Sequence, residues 1–490
     1  MPGKMMTDLA LGAESLAFVG LYLLSLLVLG VWGKKKRLNN SLGDYYLAGR
    51  NLGLPVMLLT LFATQYSGNA LFGFTGQAYR AGFSWIVIVH SMIVVVTGYL
   101  IFAPKLQRLA MRHQFVTPTD YIKFRFELPR LQHLISICLL LVLMNYTLAQ
   151  LKVIGHVVEG LSGGRIDALW GVVTLALIMV VYSTLGGLRS VVWTDVLQGI
   201  MMLIGFILIL VIIGAETGGF VETLKELKTV APEKTLPPTG PQAVTWLSTI
   251  VLIGIGASVY PQAIQRIYAA KSASVLQQSM VGMSLMPLFA VVVVLTLGYL
   301  AIVRYPGLQG SAADQVMALI LRDTLAFGWQ GVAIVTVMLA AILAALMSTA
   351  DSALLSFSSI FAKDIYGSLI DPSSPEERLT RIGQRCAWLV LAAMVFISTR
   401  EDVTLYRLFM LKFELLLQVA PSFYLGVINR RIAGGAIFWG LITGLLVAVI
   451  GWTLGVMPLG LHPGTLGLAA NLLVIVILHL IRGRNSLTTS

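Results

Sequence analysis

Two short runs gather oxygen-bearing side chains inside sequence that is otherwise apolar. In Leu61-Phe-Ala-Thr-Gln-Tyr-Ser-Gly-Asn69, five polar side chains fall among six positions around Gly68. An unwound turn here would release carbonyls for a cation and present N–H groups to an anion. The alternative, hydroxyls bonded back to their own helix, accounts well for an isolated Ser or Thr and less well for such a cluster. In Ala344-Ala-Leu-Met-Ser-Thr-Ala-Asp-Ser352, the residues Ala345, Ser348, Thr349 and Ser352 recur at steps of three to four, so carbonyl and hydroxyl oxygens can line one helix face. Oxygen-only ligands suit a hard cation. Sodium fits, being singly charged and needing no full set of carboxylates. Asp351 is costly in lipid and must face protein or water. A third run, Tyr182-Ser-Thr-Leu-Gly-Gly-Leu-Arg-Ser-Val-Val-Trp-Thr-Asp-Val-Leu-Gln198, sets Arg189 at a membrane interface and Asp195 nearly two turns deeper. Asp195 there reads either as part of an inward ion path or as an interfacial acid at a helix start.

These runs must be held by membrane helices. Of 490 residues, 57% are hydrophobic and 11% charged, against about 25% charged in a soluble domain. That excludes a soluble enzyme, a disordered chain and a collagen-like fibre. With about 20 apolar residues per crossing, the runs predict an all-α polytopic membrane protein of about thirteen transmembrane helices: 14-33, 53-75, 82-104, 131-154, 168-187, 190-214, 243-265, 277-303, 329-362, 383-399, 404-427, 432-455 and 464-481. No small-residue cleavage site follows the first run, which is expected to be a retained helix. Cys138 and Cys386 sit beside or within apolar runs, and the six histidines show no ligand spacing, so no disulfide or zinc framework is expected. No phosphate-binding Gly-Lys motif, Ser/His pair or carboxylate pair suggests a pump driven by ATP or an intramembrane hydrolase.

The net charge of +12 is a matter of sidedness. With the N-terminus outside, 22 Lys and Arg, including Lys34 to Arg37, Lys105 to Arg130, Arg189, Arg266 and Arg430, fall in inner loops, and 9 fall outside. This orients the C-terminus to the cytoplasm of a plasma membrane and leaves no nucleic-acid footprint to explain. The longest outer loop, 215-242, has room for a short surface helix and divides the chain. With 14-33 set aside as an extra N-terminal helix, 53-214 and 243-427 each supply five spans running in opposite senses, and 432-481 adds two C-terminal helices. The leading helix of each group carries breakers: Gly68 and Gly73 in one, Gly254, Gly256 and Pro261 in the other. Interrupted helices at matching positions of inverted repeats point to a transporter's binding site, although any single glycine also serves close packing.

Ala63 to Gly68, the Gly186-Gly-Leu-Arg-Ser-Val-Val-Trp-Thr-Asp195 run, Ser348-Thr-Ala-Asp-Ser352 and the early Asp44-Tyr-Tyr-Leu-Ala-Gly-Arg50 loop resemble the sodium:solute symporter family, whose members include bacterial proline, pantothenate, galactose and sialic acid transporters. The resemblance runs over nearly the whole chain. It implies a leucine-transporter-like 5+5 inverted repeat, with sodium held by backbone oxygens of Ala63, Tyr66 and Ala345 and the hydroxyls of Ser348 and Thr349. Some members have a second sodium site using an acid equivalent to Asp195 and hydroxyls of the ninth span. Asp351 stands at one of those hydroxyl positions here, so Asp195, Asp351 and Ser352 are carried as a possible second ion site or ion path. The proline transporter has an aspartate where this chain has Gln65, which leaves ion stoichiometry open.

For the solute, the resemblance points to Gln65, Ser67, Gly68, Asn69 and Tyr146. Ile253 and Ala257 replace the tryptophan and tyrosine of a proline pocket, which argues against proline. Lys152 reads as snorkelling to an interface or as contacting an anionic solute. Glu414 and Gln418 share a face of the eleventh span and would border the pocket, and Lys412 is expected to pair with a nearby acid rather than with Glu414, since residues two apart do not face each other. The expected function is sodium-coupled symport of a small polar organic solute such as an amino acid or carboxylate. The partners are the solute, sodium and lipid, with no nucleic acid and no obligate protein partner. The alternatives are proton coupling through Asp195 or Asp351, or a transporter-like sensor, which the lack of a soluble output domain disfavours.

Overall fold

The computed structural model describes residues 12–161, 164, 166–399 and 405–487. Among them Leu52 and Ala270 form the only extended pairing, an isolated parallel bridge, and all regular structure is helical. The principal helices are α1 (Ala13–Lys35), α2 (Leu54–Gln65), α3 (Gly68–Ala81), α4 (Val87–His113), α5 (Pro129–Leu161), α6 (Ala168–Gly186), α7 (Leu188–Thr217), α8 (Pro241–Ala257), α9 (Pro261–Ala269), α10 (Ala273–Arg304), α11 (Gly328–Ile360), α12 (Glu376–Ser398), α13 (Leu405–Ile428), α14 (Gly434–Leu454) and α15 (Pro463–Leu487). Among the described residues 11 helices are long and apolar enough to cross a membrane, or up to 12 with the bent pair α8 and α9 taken as one span. The remaining expected span, 53-75, is interrupted. Its first piece, α2, has 12 residues and reaches only about 18 Å at 1.5 Å per residue, short of a hydrocarbon core about 30 Å thick.

Burial sorts the helices into a centre and a rim. In α11 every residue from Met338 to Ile360 is buried, as expected of a helix surrounded by others. It packs against α2, α3, α5, α7 and α9. On the rim, α1 exposes Leu21, Leu24 and Val28, and α14 and α15 expose Leu446, Leu473 and Val476, an apolar surface suited to lipid. The first run is fixed to the bundle: Ser190 Oγ donates to the Gly30 carbonyl at 3.0 Å, and Thr336 Oγ1 donates to Ser15 Oγ at 2.7 Å. A Cβ at Gly30 would lie 2.9 Å from Tyr182 Cα, so this glycine is what lets α1 seat on α6. The loop over 215-242 does contain a surface helix, Phe220–Val230.

The two breaks lie close to the expected places but arise differently. α2 ends at Tyr66, which is extended at φ −96° and ψ 97°, and helix resumes at Gly68. A Cβ on Gly68 would strike the Leu346 side chain and come within 3.1 Å of the Ile342 carbonyl, so only glycine restarts the helix this near α11. In the seventh span Gly254 and Gly256 stay helical and serve packing instead: a Cβ on Gly254 would meet Val94 at 2.6 Å, and one on Gly256 would meet Phe413 at 3.4 Å. The break falls at Ser258 to Tyr260, before Pro261, and bends α8 from α9 by 45°. Pro261 supplies no N–H and drives the preceding Tyr260 into an extended conformation, φ −54° and ψ 129°.

Arg189 is anchored at one end of the bundle, 2.7 Å from Asp44. Burial pushes the Asp44 carboxyl up, but the Arg189 hydrogen bond and the N–H groups of Asn39 and Leu38 outweigh it and hold Asp44 below its ordinary value.

Candidate functional site

The broken second span meets the central helix at the two oxygen-rich runs. Ser348 Oγ lies 3.0 Å from the Ala63 carbonyl and 3.2 Å from the Ala345 carbonyl, within reach of both. Thus three of the five oxygens expected around a cation, this hydroxyl and the two carbonyls it reaches, lie together. Thr349 Oγ1 is buried and makes no hydrogen bond of normal geometry, although the Tyr146 phenol interacts with it. Tyr66, extended, carries its carbonyl out of the α2 ladder. Ala63, Ala345, Ser348 and Thr349 are wholly buried and Tyr66 is 4% exposed. A hydroxyl with spare bonding capacity and carbonyls at a helix end, buried together, are what a desolvated monovalent cation can use.

One turn along α11, Asp351 and Ser352 join a second buried cluster. Arg266 Nη2 lies 2.8 Å from Asp195 Oδ2 and 2.5 Å from Ser352 Oγ, and Arg266 Nε donates to Thr60 Oγ1 at 2.8 Å. Thr60 in turn donates to Asp195 Oδ2, and Tyr182 donates its phenol proton to Asp351 Oδ2. Ser352 Oγ is 3.3 Å from Asp351 Oδ1. The structure therefore brings Asp195, Asp351 and Ser352 together as grouped in the sequence, and adds a cation. Arg266, expected in an inner loop, is instead wholly buried on α9. The reason is that the helix restarting at Pro261 runs past the expected end of the span at 265. Asp195 is likewise no interfacial acid: it is 0% exposed, with Oδ1 left without a hydrogen bond.

The breaks of the second and seventh spans are joined by side chains. Gln65 Nε2 donates to Tyr99 Oη, and Tyr99 donates to the Ala257 carbonyl at 3.2 Å. Tyr146 stacks on Tyr260, with ring centroids 5.3 Å apart and planes within 5°, and its hydroxyl interacts with Ser67. Ser67, Gly68, Tyr146, Ile253 and Ala257 are all buried around this junction. The Asn69 side chain lies outside the described residues. Gln418 is elsewhere: its amide donates to the Gly464 carbonyl at 2.8 Å, and its backbone carbonyl accepts from Asn471 at 2.9 Å. Glu414 does share that face, accepting from the Gly464 N–H, with His462 Nδ1 3.8 Å from its Oε1. Both turn toward the start of α15 rather than to the junction, because the C-terminal helices pack against that side of α13. Lys412 points the other way and, among the described residues, has no acid partner, contrary to expectation. Lys152 is half-buried.

Tyr99, Tyr260, Thr60 and Arg266 were not legible as site residues. Tyr260 precedes a proline in an apolar run, which marks a break; nothing in spacing singles out Thr60 or Tyr99, whose partners lie on other helices.

The family model of the sodium:solute symporters matches residues 45–444. The chain belongs to the sodium:solute symporter family. As a sodium:solute symporter family member it is of a transporter family and not an enzyme. The sodium/pantothenate symporter of Escherichia coli (strain K12) is 26% identical over 469 residues, covering 93% of this chain and 94% of that one. The high-affinity proline transporter of Bacillus subtilis (strain 168) is 28% identical over 392 residues, covering 78% and 80%. Among solved structures, a Na+-coupled sialic acid symporter in a substrate-bound outward-open state superposes with a TM-score of 0.79 at 19% identity, over 96% of this chain and 98% of that one. The fold is therefore that of leucine-transporter-like symporters.

Proposed function

We propose that this protein is a sodium-coupled symporter that takes up a small polar organic solute across the plasma membrane. Sodium, as cargo, is held by the carbonyls of Ala63, Tyr66 and Ala345 and the hydroxyls of Ser348 and Thr349. The observation that carries this reading is the Ser348 hydroxyl, 3.0 Å from the Ala63 carbonyl across the α2–α11 contact, beside a buried Thr349 hydroxyl that makes no hydrogen bond of normal geometry. A cation there ties the interrupted second span to the central helix. It therefore favours whichever gate state brings them together, and solute binding at the adjoining breaks is coupled to it through differential affinity for the two states. The sodium-dependent relatives and the sialic acid symporter fold support the same reading. In it, 53-214 and 243-427 are the inverted halves that rock about the site.

The test is uptake into vesicles under an imposed sodium gradient, a proton gradient, or both. Accumulation is expected with sodium alone. The buried set of Asp195, Asp351 and Arg266, two carboxylates for one guanidinium, favours proton coupling as the second reading. Uphill uptake in sodium-free medium driven by pH alone would establish it and remove the first.

A further inference from the structure

Lys412 lies in the first third of the apolar helix Leu405–Ile428 and is 1% exposed. Its Nζ makes no hydrogen bond. It lies 3.5 Å from the centre of the Tyr146 ring, 4.4 Å from Phe409, 5.0 Å from Phe413 and 5.5 Å from Tyr260. Aromatic faces attract an ammonium, but they return only a fraction of what its removal from water costs when no counter-ion or acceptor replaces the lost hydration. The acids nearest to it among the described residues do not supply one. Glu414, two residues on, is directed at the Gly464 N–H and His462, while Asp195 and Asp351 are engaged with Arg266, Thr60, Ser352 and Tyr182. Protonated, the Lys412 amine is thus a buried cation with no anion among the described residues.

Its position says where the anion comes from. Tyr146, the nearest ring, interacts through its hydroxyl with Ser67 and Thr349, and Tyr260 sits at the break of the seventh span. Phe409, one turn before Phe413, meets Phe74 of α3 edge to face at 5.2 Å, which brings α13 against the helix that begins at Gly68. The leading N–H groups of a helix lack intrahelical acceptors and favour negative charge. A solute lodged between the two breaks would therefore face a helix N-terminus on one side and Lys412 on the other.

We infer that the solute is a small organic carboxylate without an ammonium group, its carboxylate paired with Lys412 across the Tyr146–Tyr260 stack. The aromatic box that would otherwise receive a solute's ammonium is already filled by the lysine, which repels a second cation at that range. Ile253 and Ala257, apolar and buried on the helix that leads into the break of the seventh span, would be the apolar neighbours of the rest of the molecule. This inference rests on the symport reading and narrows its solute from amino acid or carboxylate to carboxylate.

The test is the thermal stability of the purified, full-length protein in sodium chloride with matched probes: acetate, lactate, pyruvate and benzoate, the amide of each, and the zwitterions alanine and proline. At least one carboxylate is expected to raise Tm by several degrees while its amide and the zwitterions do not. Lys412→Met is expected to weaken that carboxylate at least tenfold, and Lys412→Arg to retain part of the affinity. Stabilisation by amides or zwitterions, no response to any carboxylate, or an unchanged carboxylate response in Lys412→Met overturns the proposal. If Lys412→Met does not fold, the acid-against-amide comparison in the unmodified protein decides. Repeating the series in potassium chloride separates the two readings. A carboxylate response that ignores sodium removes sodium coupling and leaves the lysine assignment, whereas a sodium-dependent response to neutral solutes does the reverse.

Discussion

A hydroxyl that serves a cation can be removed without adding bulk, so Ser348 and Thr349 allow ion binding to be separated from folding. Ser348→Ala deletes a donor from a site wholly inside the protein and leaves the Ala63 and Ala345 carbonyls without it. A lost interaction with a charged group is worth about 1.5–3 kcal/mol. Each alanine variant is therefore expected to raise the half-saturating sodium concentration of uptake by about tenfold or more, at roughly 1.4 kcal/mol per tenfold, with membrane expression unchanged. Sodium dependence that is the same in both variants refutes the assignment. Arg266 behaves differently. Arg266→Met strands Asp195 in a wholly buried site, and breaking a buried pair from one side costs about 3–5 kcal/mol. The single variant is expected to lose thermal stability sharply, and Arg266→Met with Asp195→Asn to recover part of it; a double variant no more stable than the single one removes the pairing as the cause. This cluster also marks the limit of reading residues from sequence. Ser348, Thr349 and Asp351 announce themselves because they are polar within apolar sequence. Arg266 lies just past an apolar run, and charge counting assigns such a residue to a loop unless the packing against Asp195 is known.

At the scale of the element, what matters is where helices stop. The sequence marks both interrupted spans, and the reason is local: Pro261 cannot continue a ladder, and five polar side chains around Gly68 compete with one. It does not assign the individual glycines, because whether a glycine breaks a helix or packs it depends on the neighbour it meets. Gly68 faces the Ile342 carbonyl and Leu346, and Gly254 faces Val94; both are glycine because another helix comes close, yet only the first adjoins a break. The direction of α13 was equally hidden. Its periodicity places Glu414 and Gln418 on one face, as observed, but cannot tell that this face meets α15 and that Lys412 meets the junction. Gly68→Val is expected to abolish solute uptake, since its side chain would displace the restart of α3 from α11 and with it Tyr66 and Ser67. Gly20→Ala, on a part of α1 with nothing within 4 Å of the added carbon, is expected to transport normally. Uptake by both variants at the rate of the parent protein, measured in the same vesicles, shows that close approach at Gly68 is dispensable.

For the whole molecule the open variable is which way the bundle faces. The segments 105-130 and 215-242 lie on opposite faces, because three spans, α5, α6 and α7, separate them. The first face carries the dense cations. Arg125 donates to the Gly426, Asn429 and Ile432 carbonyls, and Lys363 pairs with Asp120 at 2.5 Å, so part of that charge also ties the short helix Pro118–Phe126 to the ends of α11 and α13. Structural use of some cations does not alter the asymmetry, since retention during insertion acts on Lys and Arg whatever they later bond. The basic face is therefore expected in the cytoplasm. The experiment is favourable because Cys138 and Cys386 are both buried, leaving little background, and because Lys123 and Lys228 are exposed on the two faces. In intact cells a membrane-impermeant maleimide is expected to label Lys228→Cys, and to label Lys123→Cys only after permeabilisation. The reverse pattern would place the C-terminus outside. Net uptake would still follow the inward sodium gradient, which sets the direction of coupled flux whichever gate meets it first, so the labelling decides sidedness alone.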